Sequence, residues 1–348
     1  MPEKQMKAHL FLLLILVAGL LSGCQQPPAA PLTESETLES LLDGLARLGA
    51  EDFMDEAYRR LVLRSPQMVT AVGLAGFYDV GNTDLDSYDL QARTLTQAFE
   101  VELLALAKEI DLAGLDEAVQ LHLRTFIWYL ESRVALHPYQ WLDFPLWNDM
   151  GGLTDQLTYL LMTQQPFEDE ADVEDYLARL EAIGPQVDEL IVYLHDQQDE
   201  GVQIPYALYA EVMEEMGAHR WQVGRKTPFV SVLAFRLHNL EGLSREDHWA
   251  YYDRGGEIAD RVILPAFDRL MEALYGLAES TTDQVGLLHQ PNGAAYYSSL
   301  IRQITTLDKT PEEWLQLGER ELEALEAEVR LLAAEAGYDP EESLQEIF

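Results

Sequence analysis

The amino-acid sequence predicts an all-α fold: a large multi-helix body with orthogonal and antiparallel helix packing and no significant sheet. Three observations lead there. Apolar residues recur at spacings of three, four and seven in one segment after another, and proline and capping residues fall at the starts of those segments. No stretch of useful length alternates apolar and polar residues as a half-buried strand does. The chain has 348 residues, 48% of them hydrophobic, which is enough material for a sizeable core. No Gly/Ser linker or low-complexity tract divides it.

The first residues follow another logic. Lys4 and Lys7 precede an apolar run from Leu10 to Leu21, which closes on Leu21-Ser22-Gly23-Cys24. A basic start, a short apolar run and small residues at its end describe a secretory signal, too short for a stable bilayer span. The closing tetrapeptide resembles the bacterial lipobox, which implies cleavage before Cys24 and a lipid thioether on it. The plainer alternative is an ordinary signal peptide with a chance cysteine. Gln25 stands where an aspartate would mark inner-membrane retention in enteric bacteria, so the expected location is the cell envelope, on the outer membrane facing the periplasm. The resulting division is a signal peptide over 1–23, a Pro-rich tether over 24–33 and a helical domain over 34–348, expected to be truncated at its C-terminal end. Cys24 is the only cysteine, so disulfides cannot stabilise the mature chain.

The formal charge of −38 excludes one class of function. Lys108, Lys226 and Lys309 are the only lysines after the signal region. Such a surface repels phosphate backbones, so no nucleic-acid partner is expected. The excess carboxylates read either as a solvated acidic surface or as adaptation to high salt, where their repulsion is screened.

Between residues 34 and 64 two short amphipathic helices are expected, the second carrying Phe53, Ala57, Tyr58, Leu61 and Val62 and ending before Ser65-Pro66. The passage from Val72 to Phe77 has a Gly-x-x-Gly spacing, but neither a preceding strand nor a following Lys-Ser/Thr makes it a phosphate loop. Two long helices follow, over 85–110 and 115–136. Leu115, Val119, Leu123, Phe126, Ile127 and Leu130 form the buried stripe of the second, widened by Trp128 and Tyr129. The segment from Trp141 to Gly152 holds two tryptophans, a phenylalanine and a proline without helical spacing. It reads as a buried crossover, with a substrate-lining loop as the alternative. From Asp172 to Leu194, Tyr176, Leu180, Ile183, Val187 and Leu190 mark a further core helix.

The clearest helix lies near the end. Thr310 caps it, Pro311 fits its first position and Glu313 completes a capping box. Gly337 supplies the stop. Leu315, Leu322, Leu325, Val329, Leu332 and Ala336 fall on one face of about seven turns, and that face is expected to be buried.

The residues just before and into this helix, Pro-x-Gly-x-x-Tyr-Tyr, then Leu-x-Arg-x-x-Thr-Thr-x-Asp-x-Thr-Pro-Glu-Glu and Leu-Gly, resemble a motif of a bacterial family known as domain of unknown function 885. The matching positions are Gly293, Tyr296, Tyr297, Arg302, Thr305, Thr306, Asp308, Thr310, Pro311, Glu312, Glu313, Leu317 and Gly318. Tyr176-Leu177-Ala178-Arg179-Leu180, Asn148, Asp149, Gly151, Gly152 and Pro265-Ala266-Phe267 occupy comparable places elsewhere. The resemblance implies a helical, zinc-metallopeptidase-like protein, often a lipoprotein, with Tyr296, Tyr297, Arg302, Thr305, Thr306 and Asp308 lining a substrate cleft. It also implies histidines where this chain has Ile304 and Leu315. The metal motif it implies, His-Glu-x-x-Pro-Gly-His-His, would lie further on. These 348 residues lack it, so no catalytic residue, metal ligand or cofactor is expected in this chain, and zinc only with a longer one.

A search of the residues themselves agrees. None of the eight histidines forms His-Glu-x-x-His, and His219, His238, His248 and His289 read as surface or capping residues. Asp253, Glu257 and Asp260 share a helix face and could hold a cation, but Arg254 and Arg261 beside them favour a salt-bridged face. There is no Gly-x-Ser-x-Gly. Two readings of function stand. One is the N-terminal helical scaffold of an envelope lipoprotein resembling zinc-dependent hydrolases, with a peptide or small-molecule substrate. The other is a non-catalytic lipoprotein that binds a ligand or partner, using the Trp141–Trp147 segment as its apolar contact. The acidity is tested separately by melting: salt adaptation requires a higher Tm in molar NaCl than in low salt, and equal stability in low salt excludes it.

Overall fold

The computed structural model describes residues 36–146, 153–220 and 224–338, and these form helices joined by turns. No strand occurs among them; a single parallel bridge joins Pro205 to Thr282. The signal region, Cys24, the tether, the segment from Trp147 to Gly152 and residues 339–348 lie outside the described residues.

The N-terminal layer consists of α1 (Leu38–Leu42), α2 (Ala50–Val62), α3 (Pro66–Ala71), α4 (Ala75–Tyr78), α5 (Leu90–Glu109) and α6 (Glu117–Val134). Its starts are written in the sequence. Thr37 and Ser40 cap α1 reciprocally, Ser65 caps α3 ahead of Pro66, and the Asp89 carboxylate accepts from Ala92 N–H at 2.8 Å. Leu41, Leu45, Phe53, Ala57, Leu61, Phe99, Leu103, Leu123 and Leu130 close one core between α1, α2, α5 and α6. Two expectations are corrected here. The first long helix begins at Leu90 and not Leu85, because Ser87 and Tyr88 are held in a turn by the Glu189 carboxylate at 2.7 and 2.8 Å. Trp128 and Tyr129 do not widen the buried stripe. They are 38% and 36% exposed, past the edge of the face that α2 and α5 cover.

The larger core belongs to α7 (Leu153–Tyr159), α8 (Glu170–Asp199), α9 (Tyr206–Arg220), α10 (Pro228–Asn239), α11 (Arg245–Ile258) and α12 (Leu264–Leu277). A wide π turn, Ala259–Ile263, joins α11 to α12 just before Pro265, whose missing N–H could not continue the regular ladder. On α8, Val173, Tyr176, Leu180, Ile183, Val187, Leu190 and Leu194 alternate spacings of three and four, and all are buried. That pattern keeps one face against its neighbours for the whole helix.

The chain that faces α8 is the α11–α12 rod, and the two run parallel. Glu174 pairs with Arg254 and Asp188 with Arg269, and Glu181 pairs with Arg261 between them, at near-constant separations of 80 and 81 residues. These exposed pairs set register and contribute at most about 1 kcal/mol each. The arginines beside the expected carboxylate face therefore reach across to α8. Asp253 pairs with Arg225 at 2.7 Å, and Asp260 accepts from Gly224 N–H at 2.9 Å.

α8 and the rod touch where side chains are smallest. A Cβ built on Gly184 would stand 2.5 Å from Val262 Cγ1, and on the rod's contact with α10 one on Gly255 would meet Leu233 Cδ2 at 2.5 Å. Val262 is β-branched and has little rotameric freedom to move aside.

The chain ends in α13 (Gly293–Thr305) and α14 (Pro311–Glu335). The capping box of Thr310 and Glu313 forms as expected, with Glu313 N–H donating to Thr310 Oγ1 at 3.2 Å and Thr310 N–H to Glu313 Oε2 at 2.7 Å. The expected burial of its leucine face is overturned. Leu315 is 64% exposed, Leu322 59%, Leu325 56% and Leu332 56%, and Ala333 alone is buried. The amphipathic pattern built the helix, but among the described residues nothing lies over that face.

Gly184→Ala is expected to cost about 1–3 kcal/mol in urea unfolding despite alanine's better helix propensity. Val262→Ala introduced beside it should return part of that loss, and an additive double variant would show that the two sites are not in contact.

Candidate functional site

The motif residues gather on α13 and the turn that follows it, and most of them have identifiable local duties. Asn292 takes a left-handed backbone with φ of 57°, a conformation that asparagine tolerates better than most residues. At Gly293 the carbonyl of Leu287 passes so close that a Cβ would lie 1.6 Å from its oxygen. Only glycine fits. The loop that delivers this carbonyl is held by Gln290, whose side chain donates to Gln203 O at 2.6 Å and accepts from Gln203 N–H at 3.0 Å.

Thr305 and Thr306 end α13. Thr305 Oγ1 donates to Ile301 O at 2.7 Å and accepts from Leu307 N–H at 3.3 Å. Thr306 N–H closes the helix on Arg302 O at 2.8 Å with φ of 60°. A β-branched residue in the left-handed region is strained, and this helix end would ordinarily carry glycine or asparagine.

Tyr296 is the motif residue best tied to the body. Its ring lies 5.5 Å from that of Tyr139, in the turn after α6. Behind this pair the crossover from Gln140 to Leu146 is clamped. Arg93 of α5 lies over the Tyr193 ring at 4.5 Å and the Trp141 ring at 5.5 Å, and it donates to Gln140 O at 2.8 Å. Trp141 stacks on Tyr193 at 5.4 Å, and Gln197 Nε2 donates to the carbonyls of Trp141 and Asp143 at 2.7 and 2.9 Å. Leu142 and Leu146 are buried. The described part of this segment is a structural crossover, and the rest of it, with Trp147, Asn148, Asp149, Gly151 and Gly152, lies outside the described residues. Burial pushes the Tyr193 and Tyr296 hydroxyls above the ordinary tyrosine range, and Asp143 adds to both shifts.

The remaining motif side chains face water. Tyr297 is 42% exposed, Arg302 and Asp308 are exposed, and none of the three side chains has a hydrogen-bond or ion-pair partner among the described residues. Ile304 and Leu315, at the positions where the resemblance implies histidines, are 78% and 64% exposed on either side of the same turn. The structure thus brings Tyr296 against the body and leaves Tyr297, Arg302 and Asp308 on an open arm. A depression lined by Leu38, Leu42, Gly44 and Arg47 opens by α1, and none of the motif residues lines it.

Two buried polar clusters escaped sequence reasoning. Glu100 is 1% exposed on α5, with Arg133 Nε and His137 Nε2 both 2.6 Å from its oxygens. Arg179 on α8 is 1% exposed and donates to Thr70 Oγ1 at 2.8 Å, Gln165 Oε1 at 2.9 Å and Asp84 O at 3.1 Å. Burial lowers its guanidinium to about 10. The Tyr-Leu-x-Arg-Leu run was the available signal, since an arginine inside a core heptad must find acceptors. Of the histidines, His238 and His289 are exposed, His248 is half-buried, and the side chain of His219 lies outside the described residues. Among the described residues no three metal-ligating side chains converge, and no helix is long and apolar enough to cross a membrane.

Comparison with known proteins places the chain in a family. Residues 66–348 match the family described as "Bacterial protein of unknown function (DUF885)", and the chain belongs to it. Its fold is similar to the crystal structure of a candidate lipoprotein from Colwellia psychrerythraea, with a TM-score of 0.73 and 15% identity. That match covers 86% of this chain and 54% of the lipoprotein, so the chain spans about half the length of that neighbour. No curated protein matches it.

Thr306→Gly is expected to raise stability by about 1 kcal/mol, because it removes the left-handed strain while keeping the backbone bond to Arg302. A loss of stability in thermal or urea unfolding would show that the Thr306 side chain holds the turn.

Proposed function

We propose that this chain is the amino-terminal helical scaffold of a lipid-anchored envelope hydrolase, tethered through Cys24 to the outer membrane and facing the periplasm. In this reading α13 and the turn after it form one wall of a cleft for a peptide or small-molecule substrate. The observation that carries the reading is the open arm. Tyr297, Arg302 and Asp308 stand in water beside a row of exposed leucines. Soluble proteins rarely leave so long an apolar face uncovered unless something binds it.

Support comes from three further directions. The lipobox-like Leu21-Ser22-Gly23-Cys24 fits an envelope anchor. The Colwellia neighbour is itself described as a candidate lipoprotein, and its chain is nearly twice as long as the region matched. The motif resemblance supplies the chemistry: a zinc ion bound by His-Glu-x-x-Pro-Gly-His-His would activate water, with a glutamate as base. This chain would contribute the frame and the substrate-facing tyrosines, arginine and aspartate.

The test begins with the source DNA. The frame after the Phe348 codon is expected to stay open and to encode the His-Glu motif. Its full product should bind one equivalent of Zn²⁺ by titration, and residues 24–348 alone should show no tight site. A stop codon directly after Phe348 overturns the catalytic reading and leaves a lipoprotein that binds without catalysis.

A further inference from the structure

The leucine face of α14 carries more information than its exposure. From Leu315 one set of residues keeps a seven-residue register: Leu315, Leu322, Val329 and Ala336 in one row, and Gly318, Leu325 and Leu332 in the other, with Leu317 and Leu331 off both rows. Two such rows are the spacing of a coiled-coil seam. The positions that flank a seam decide what can dock there. On α14 five of these are glutamates, Glu319, Glu321, Glu326, Glu328 and Glu335, all exposed, and Ala333 completes the third heptad as a buried flank residue. No lysine or arginine occupies a flanking position over these three heptads.

From this pattern we infer that α14 is the docking surface for one amphipathic helix of opposite flank charge, whose own leucine-type seam is bordered by lysine or arginine. The inference rests on the reading of α13–α14 as an interface and names the chemistry of its occupant. Electrostatics oppose a second copy of the same helix. In a parallel pair Glu321 of each copy would face Glu326 of the other, and in an antiparallel pair the row of Glu321, Glu328 and Glu335 would meet its counterpart. Across a closely packed seam such repulsion opposes association, and the excess negative charge of the whole chain adds to it. A lysine- or arginine-flanked helix meets neither obstacle. It buries the same leucines and turns each flanking glutamate into an interhelical ion pair.

Register gives the site a polarity as well. Gly318 interrupts the row near the start of α14, where an added Cβ would meet nothing within 4 Å, so the partner can approach most closely there and can place a large side chain opposite it. The capping box at Thr310 fixes where the seam begins.

The experiment uses three synthetic helices of about four heptads. One has leucine seams and lysine flanks, the second has the same seams with glutamate flanks, and the third has the lysine peptide's composition in scrambled order. Binding of each to the purified chain is followed by fluorescence anisotropy in low and molar salt. The lysine-flanked helix should bind at least about tenfold more tightly than either control, and molar salt should weaken it. Leu322→Asp with Leu325→Asp should abolish that binding without changing the Tm, because both leucines already face water. Equal binding of the scrambled peptide would reduce the effect to bulk charge attraction and overturn the inference. Equal binding of the glutamate-flanked peptide, or concentration-dependent dimerisation of the chain that the lysine peptide cannot compete away, would overturn it too. A stop codon after Phe348 would remove the hydrolase reading yet leave this binding intact, whereas an open frame without peptide binding would remove only the docking helix.

Discussion

A buried cation holds the two helical layers in one arrangement. Arg179 stands beside the core row of α8, next to Leu180, and reaches Thr70, Gln165 and the carbonyl of Asp84. Those groups belong to α3, to the end of the π turn Leu160–Gln164 that follows α7, and to the loop before α5, so one guanidinium ties three separate parts of the chain together. Around it Thr70 donates to Asn82 at 2.8 Å, and the Asp175 carboxylate accepts from Asn82 N–H at 2.8 Å. Removing a buried charge from water is costly, and the cost is offset only when every donor finds an acceptor in place. The loop from Val80 to Asp89 is therefore fixed in detail although it contains no secondary structure.

Downstream of that tie, packing depends on close approach. α8 and the α11–α12 rod can lie side by side because Gly184 leaves room for Val262, and α10 can approach α11 because Gly255 leaves room for Leu233. The interhelical acid–arginine pairs along the edge choose which residues meet, and the buried seam supplies most of the stability. The same division holds at the crossover, where Arg93 clamps Trp141 and Tyr193 while Gln197 satisfies the carbonyls of the turn. This rigid body is what presents α13 and α14 in a defined place.

The arm itself follows different rules. Much of its motif is folding chemistry: Gly293 yields to the Leu287 carbonyl, Thr305 and Thr306 close a helix, and Thr310 with Glu313 opens the next. Such residues fix the geometry of a turn whether or not a ligand is near. Tyr297, Arg302 and Asp308 have no such duty within the described residues, and their position beside an uncovered seam is what gives the interface reading its force.

The sequence alone was sufficient for the all-α class, for the capping box of α14, for the core register of α8 and for the family to which the chain belongs. These depend on interactions within a few residues, or on periodicity, and both can be read along one strand of text. It also produced the leucine row of α14 correctly as a helix face, but periodicity states only that a face is apolar and not what covers it. The burial of Glu100 and Arg179, the parallel pairing of segments 80 residues apart, and the need for glycine at positions 184, 255 and 293 were decided by tertiary structure. Each is a contact between parts of the chain whose distance in sequence carries no local signal, so only the folded arrangement could bring them together.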